Sequence, residues 1–243
     1  MMYTRYHVAA ELARGKRVLE VACGSGQGLG LIRRAAARVV AGDVSGALLR
    51  RAQVQYAARV PCVRLRAEAL PFAGDAFDVV LLFEASYYVT DLDRAFDEIA
   101  RVLAPGGTAL LVNANPERPD FIQSPHSVHY HSADEFRSAL GGRGFRVSVD
   151  GAFPVDVSAG ARRPPWLERA LSLTRRVLER LHLVPRTLQG RARLKRLVYG
   201  KLRELPAELP EQFAPVAVRA PVARGPVRGY KVLYVTAQKS LGK

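Results

Sequence analysis

The chain has 243 residues, 49% of them hydrophobic, which is enough for one α/β domain with a sizeable core and too apolar for a disordered chain. Its two cysteines, Cys23 and Cys62, rule out a disulfide framework and match no zinc-site spacing. The net charge of +15 favours an anionic partner, whether nucleic acid, an acidic membrane surface or a phosphorylated substrate, without choosing among them.

At the N-terminus "YTRYHVAAEL" reads as an amphipathic lead-in helix with no apolar core of a secretory signal. Residues 17–22 form a β-like apolar run that breaks into "CGSGQGLG", after which residues 27–37 have helical spacing. A second apolar run over 38–42 ends at Asp43 and is followed by a helix over 45–58. Residues 63–67 read as a third strand. The run "FDVVLLF", 77–83, is apolar on both faces, as a buried parallel strand should be.

Asp91 caps the next helix, whose stripe is Leu92, Ala95, Phe96, Ile99 and Leu103, and Pro105, Gly106 and Gly107 stop it before a strand over 108–113. Ser132 and Glu135 form a capping box for a short helix that ends at "GGRG", ahead of a strand over 145–149. A last strand covers 230–238. No run approaches the roughly 20 apolar residues that cross a bilayer, so a cytoplasmic protein with no transmembrane segment is expected.

The stretch over 154–229 is too long for a simple loop. It carries two apolar stripes at helical spacing, one through Trp166, Leu167, Ala170, Leu171, Leu178 and Leu181, the other through Leu194, Leu197, Val198, Leu202 and Leu205. Between residues 160 and 205 there are 13 Lys or Arg against three Glu, so most of the net charge is concentrated there. Three segments are therefore predicted: a core over 1–153, a helical basic insertion over 154–229 that caps the acceptor site, and a last core strand with its tail over 230–243. Peripheral membrane contact through the insertion and nucleic-acid binding are the weaker uses, because no RNA-binding motif accompanies the charge.

Strands alternating with helices describe a doubly wound, mostly parallel sheet, which binds ligands beyond the carboxyl ends of its strands. The glycine turn lies there, and Glu20 and Asp43 end neighbouring strands. An acid at the second strand suits a ribose, whose two hydroxyls both donate to one carboxylate. A nicotinamide dinucleotide fits less well, because E-x-x-C-G-x-G is not G-x-G-x-x-G and an acid on the first strand would repel pyrophosphate. A nucleoside carrying a cationic amine and a sulfonium fits better.

In order and interval, "VLEVACGSGQG", "VVAGDVSGALLRRA", "AEALPFAGDAFDVVLLFEA" and "AFDEIARVLAPGG" resemble the class I S-adenosylmethionine-dependent methyltransferases, in the small-molecule branch with methyltransferase-domain type 11 character. The resemblance implies a Rossmann-like seven-stranded sheet with its last strand antiparallel, and S-adenosyl-L-methionine as cofactor. By position, Glu20, Cys23, Gly24 and Gly26 would face its methionine portion, with Glu20 on the amine directly or through water. Asp43 would hold the ribose, Val44 would pack on adenine, and the backbone of Ala67 and Glu68 would read the adenine edge. Phe83 and Glu84 would lie beside the methionyl group, and Tyr3 or Tyr6 would reach its carboxylate. Arg66 stands where many relatives have Asp, which leaves the partner of the adenine amino group open to Glu68 or a main-chain carbonyl.

Methyl transfer from a sulfonium is an in-line displacement that needs mainly alignment, with a base only for a protonated acceptor. The candidates after strands four and five are Tyr87, with Tyr88 beside it, and His126, His129 and His131. Among these the expected catalytic residues are His129, His126 and Tyr87. No metal is expected, since no carboxylate or cysteine is spaced with the histidines. The acceptor is expected to be oxygen or nitrogen of a natural product, sugar or lipid-linked precursor; an RNA methyltransferase and a non-catalytic cofactor-binding protein are the rivals.

Overall fold

The computed structural model describes residues 1–155, 206–212 and 214–241. The chain divides into two compact units, one of Met1–Val155 with Pro206–Lys243 and one of Asp156–Leu205. The second unit lies outside the described residues, and with it both helical stripes expected for the insertion. Residues 206–229, by contrast, belong to the same unit as the sheet.

The first unit is built on eight strands: β1 (Arg17–Val21), β2 (Arg38–Asp43), β3 (Cys62–Arg64), β4 (Phe77–Phe83), β5 (Leu103–Ala114), β6 (Phe145–Pro154), β7 (Arg219–Pro221) and β8 (Tyr230–Lys239). Their order across the sheet is β3-β2-β1-β4-β5-β8-β6-β7. The strands β1 to β5 pair parallel, whereas β8 runs antiparallel to both β5 and β6. The antiparallel last strand is as expected. The strand total differs from seven because the three-residue β7 adds an edge beyond β6, where it pairs Arg219 with Ala152. Its single turn of pairing has no apolar alternation to announce it.

Five helices cover the sheet: α1 (Met2–Leu12), α2 (Leu29–Ala35), α3 (Gly46–Tyr56), α4 (Leu92–Val102) and α5 (Ala133–Gly141). The predicted caps are present. Asp91 accepts from the Arg94 amide, and Ser132 and Glu135 exchange bonds as a full capping box. Helix α4 stops at Val102 rather than Leu103, because Leu103 already pairs with Phe77 and the Pro-Gly-Gly turn is absorbed as an irregularity at the start of β5.

Side chains alternate between the two sheet faces, so the strands feed two cores. On one face Leu19, Val80, Leu82 and Leu111 pack against Phe96, Ile99 and Phe136 of α4 and α5. On the other, Val18, Leu81, Phe83, Leu110 and Val112 pack with Tyr6 and Ala9 of α1, Leu29 and Ile32 of α2, and Leu49 of α3. Tyr56, in the second core, is 2% exposed, and its hydroxyl donates to the Gly26 carbonyl at 2.8 Å and accepts from the Gly30 amide at 3.1 Å. The phenol thus satisfies two backbone groups of the glycine turn from the end of α3.

Tyr56→Phe should lower unfolding free energy by about 1–3 kcal/mol, the cost of leaving buried backbone partners unpaired. Urea unfolding of the two proteins measures the difference.

Candidate cofactor and acceptor site

The carboxyl ends of β1, β2 and β4 converge on a cavity of about 570 Å³. Asp43, Val44, Ala67, Glu68, Phe83 and Glu84 all line it, which brings together most residues expected at the cofactor. Ser45, Leu48, Leu65, Leu82 and Val89 complete its apolar wall.

Tyr6, Glu20, Cys23, Gly24 and Gly26 do not line that cavity; Glu20, Tyr6 and Cys23 are buried. Glu20 is fully buried, and one carboxylate oxygen accepts from the Tyr6 hydroxyl at 2.6 Å. Its other oxygen has no partner. Burial pushes the Glu20 carboxyl up to about 7, against the opposing pull of the Tyr6 bond and the Arg5 guanidinium. The Cys23 thiol is likewise pushed up by burial, so it is a small apolar filler here.

Asp43 supports the glycine turn from beneath. One oxygen accepts from the Gly24 amide at 2.9 Å and the other from the Ser45 amide at 2.8 Å. Each carboxylate oxygen keeps lone-pair capacity for a further donor. Gly24 adopts φ +60°, and a methyl group built on it would meet nothing within 4 Å, so this glycine leaves room for a ligand. Gly28 faces the other way: a methyl group there would lie 2.2 Å from the Tyr6 ring. Gly26 likewise points into the core, toward Leu29, Ala52 and Tyr56. Only part of the glycine pattern, then, is directed at a ligand.

Helix α1 closes the base of the site. Tyr6 packs edge-on against Phe83 at 5.3 Å between centroids. The neighbouring Arg5 reaches Glu84 at 3.4 Å and lies 6.0 Å from the Phe83 ring centroid. Its Nε is buried without a partner. Arg5 was not singled out from the sequence, because an arginine in an amphipathic helix reads as a solvated residue; its place between Tyr3 and Tyr6 is the only hint. Tyr234 on β8 was missed for a similar reason. Its hydroxyl is buried without a partner, and burial pushes it up to about 12, with Arg5, Arg219 and Glu84 close enough to act on it.

At the outer rim Tyr87 donates to Glu84 at 3.0 Å and stacks on Tyr130 at 4.2 Å, while Tyr88 lines the cavity and bonds Ser124 at 2.7 Å. Burial raises the Tyr87 phenol far above its ordinary range. His129 does not reach this cavity. It lines a second one of about 370 Å³ with His131, Ser86, Asp91 and Asp93, and its Nε2 is 2.9 Å from Glu135 of the capping box. The two cavities share Val89 and Thr90 on their walls. His131 is held neutral-leaning by burial and by His129, and His126 is exposed and lines neither cavity. Arg66, at the adenine end, bonds the Glu68 carboxylate at 3.2 Å.

These features define the class: a Rossmann-like sheet whose last strand is antiparallel, with a nucleoside-sized cavity at an acid-ended second strand. Residues 19–111 match the methyltransferase domain family. Over that stretch the chain is similar to the class I S-adenosylmethionine-dependent methyltransferases, and the cavity lies where such a domain would take S-adenosyl-L-methionine.

Over 121 residues the chain is 39% identical to the phthiotriol/phenolphthiotriol dimycocerosates methyltransferase 1 of Mycobacterium ulcerans, covering 47% of this chain and 43% of that one. It is 32% identical over 136 residues to the ubiquinone/menaquinone biosynthesis C-methyltransferase of Xylella fastidiosa, covering 52% and 54%. The chain thus spans about half the length of the curated relatives it matches. The solved S-adenosylmethionine-dependent methyltransferase of Mesorhizobium loti shares the fold with a TM-score of 0.58 at 17% identity, over 97% of this chain and 96% of that one. Among the described residues no helix is long and apolar enough to cross a membrane.

The residues present fit the cofactor. Glu20 has a free acceptor that suits an ammonium, Arg5 a free donor that suits a carboxylate, and Gly24, bonded to Asp43, an open side.

A raised carboxyl binds more protons folded than unfolded, so Glu20 should make stability fall as pH rises from about 4.5 to about 7. Cofactor binding should show the opposite trend, tightening as pH rises through about 7, because the ammonium pairs with the ionised form. Glu20→Gln should flatten both profiles in thermal unfolding and calorimetric titration.

Proposed function

We propose that the chain transfers a methyl group from S-adenosylmethionine to oxygen or nitrogen of a small, lipid-like molecule. The observation that carries this reading is the pair of buried, unpartnered atoms, Glu20 Oε2 and Arg5 Nε, whose neighbours Val21 and Glu84 line the nucleoside-sized cavity. The two groups act on each other electrostatically and leave one acceptor and one donor for an α-amino acid end. The relatives named for phthiotriol dimycocerosates and for ubiquinone/menaquinone biosynthesis support the small, lipid-like acceptor.

In this reading Asp43 holds the ribose, Val44 covers one adenine face, and the Ala67 and Glu68 backbone meets its edge. Glu20 takes the methionine ammonium. Arg5 takes the carboxylate, the role expected of Tyr3 or Tyr6, whose hydroxyls are committed to the Glu211 carbonyl and to Glu20. The bound cofactor supplies an electrophilic methyl on a sulfonium. The chain supplies alignment, with Phe83 as an apolar wall and the Glu84 carboxylate, oriented by Tyr87, accepting a hydrogen bond from the acceptor hydroxyl or amine. His129 acts as a base on an acceptor that extends past Val89 and Thr90 into the second cavity; His126 is farther from this path.

The test is incubation with methyl-labelled S-adenosylmethionine and cell extract separated into lipid, aqueous small-molecule and RNA fractions. Label in a lipid or small-molecule fraction is expected, on oxygen or nitrogen. Label in RNA, with binding that weakens steeply in salt, would replace this reading by the one the +15 charge favours. Binding without turnover in any fraction would leave a cofactor-binding protein only.

Asp43→Ala should weaken cofactor binding by about 1.5–3 kcal/mol, the range for hydrogen bonds to a charged group. Titration of the folded variant with unchanged affinity would remove the ribose assignment. His129→Ala should lower turnover more than cofactor affinity, and a variant at full rate would leave alignment as the whole of the chemistry.

A further inference from the structure

The segment that re-enters the first unit at Pro206 makes contacts out of proportion to its length. Leu209 is fully buried, in the same cluster as Tyr3, Tyr6, Leu29 and Ile32. Its amide donates to the carbonyl of Gln27, inside the glycine turn, at 2.7 Å. One oxygen of Glu208 accepts from Arg34 of α2 at 3.3 Å, and the other from Gln55 of α3 at 3.3 Å. A methyl group on Gly30 would lie 1.6 Å from that first oxygen, so Gly30 is bare to let the Glu208 carboxylate pass. Helix α1 is tied to the same segment, since the Tyr3 hydroxyl donates to the Glu211 carbonyl and Thr4 Oγ1 accepts from the Ala217 amide at 3.2 Å.

Neither Glu208 nor Leu209 lines the cavity. What they touch is the far side of every piece that shapes its methionine end: the turn at Gln27, the start of α2 at Gly30, and α1, which carries Arg5 and Tyr6. Backbone bonds from Cys23 to Gly42, from Gly26 to Cys23 and from Leu29 to Gly26 run through the turn, and none of them takes up the Gln27 carbonyl. Asp43 bonds it at Gly24, Tyr56 bonds it at Gly26 and at Gly30, and the stretch between, at Gln27, is held by Leu209.

We propose that residues 206–212 are a strap that holds the glycine turn in its cofactor-binding shape, with Glu208 and Leu209 as positioning residues. The inference rests on the methyltransferase reading for its ligand but not for its mechanics. The cofactor turn, near the start of the chain, is completed by a segment some 180 residues later, directly after the basic insertion.

The experiment combines calorimetric titration of S-adenosylhomocysteine with hydrogen exchange of ligand-free protein, for the wild type, Glu208→Ala, Leu209→Ala and Leu209→Met. A rise in Kd of about tenfold is expected for Leu209→Ala, about threefold for Glu208→Ala and less than about twofold for Leu209→Met, which restores the buried volume. Exchange should quicken at the amides of residues 24–30 while β4 and β5 keep their protection, a local loosening that a general loss of stability would not give. Glu208 is partly exposed, so its variant keeps the fold and decides the matter should Leu209→Ala not fold. Wild-type affinity together with unchanged exchange at residues 24–30 in Glu208→Ala would overturn the strap. A wild-type protein that binds no S-adenosylhomocysteine would overturn the methyltransferase reading instead, and the exchange comparison would still judge the strap.

Discussion

A carboxylate taken out of water and given half its hydrogen bonds sets the geometry of this site. Glu20, next to last in β1, has one oxygen on the Tyr6 hydroxyl and the other on nothing. Burying a polar group without full pairing costs free energy, and burying an ionised one costs more. The Tyr6 bond offsets part of that cost, and in making it Tyr6 fixes where α1 lies. Its ring fills the space left bare by Gly28 and meets Phe83 edge-on, and one residue earlier Arg5 is carried to Glu84. The remaining imbalance is an acceptor and a donor, both buried and both unpaired, which is the complement of an amino acid end.

The sheet order explains why these groups meet. In a parallel sheet wound outward from β1 and β4, the carboxyl ends of β1, β2 and β4 lie side by side, so Glu20, Asp43 and Glu84 come from separate motifs to one edge. The antiparallel β8 then brings Tyr234 opposite Val112, which itself pairs with Phe83, so the phenol sits in the row that leads from the cofactor end toward β6. Two cores keep the jobs apart. The face packed by α4 and α5 buries Phe96, Ile99 and Phe136, whereas the face under α1 buries Glu20 and Tyr234 beside Tyr6.

Much of this was legible in the residues. Apolar runs marked β1, β2 and β4, and Asp91 and the Ser132 and Glu135 pair marked helix starts, because caps and periodicity are local signals. The acids near the ends of β1 and β2 were legible as candidates for the same reason: each lies just before the strand gives way to a turn. Long-range partners were not. Nothing in an amphipathic helix distinguishes Arg5 from a solvated arginine, nothing in an apolar strand marks Tyr234 as unpaired, and Gly30 looks like a ligand glycine until Glu208 is found against it. His129 was placed correctly after β5, yet the capping-box Glu135 holds its imidazole beside a second cavity, a consequence of helix α5 that spacing alone does not reveal.

The central claim is that Glu20 and Arg5 together hold an α-amino acid end. It is tested most directly by comparing the affinities of S-adenosylhomocysteine and 5′-methylthioadenosine, which share the nucleoside and differ in that end, for the wild type and for the Glu20→Gln, Arg5→Ala double variant. The wild type should prefer S-adenosylhomocysteine by about a hundredfold or more, as expected for two charge-assisted pairs, and the double variant should lose most of that preference while keeping its affinity for methylthioadenosine within a few fold. An undiminished preference in the folded double variant would contradict the account.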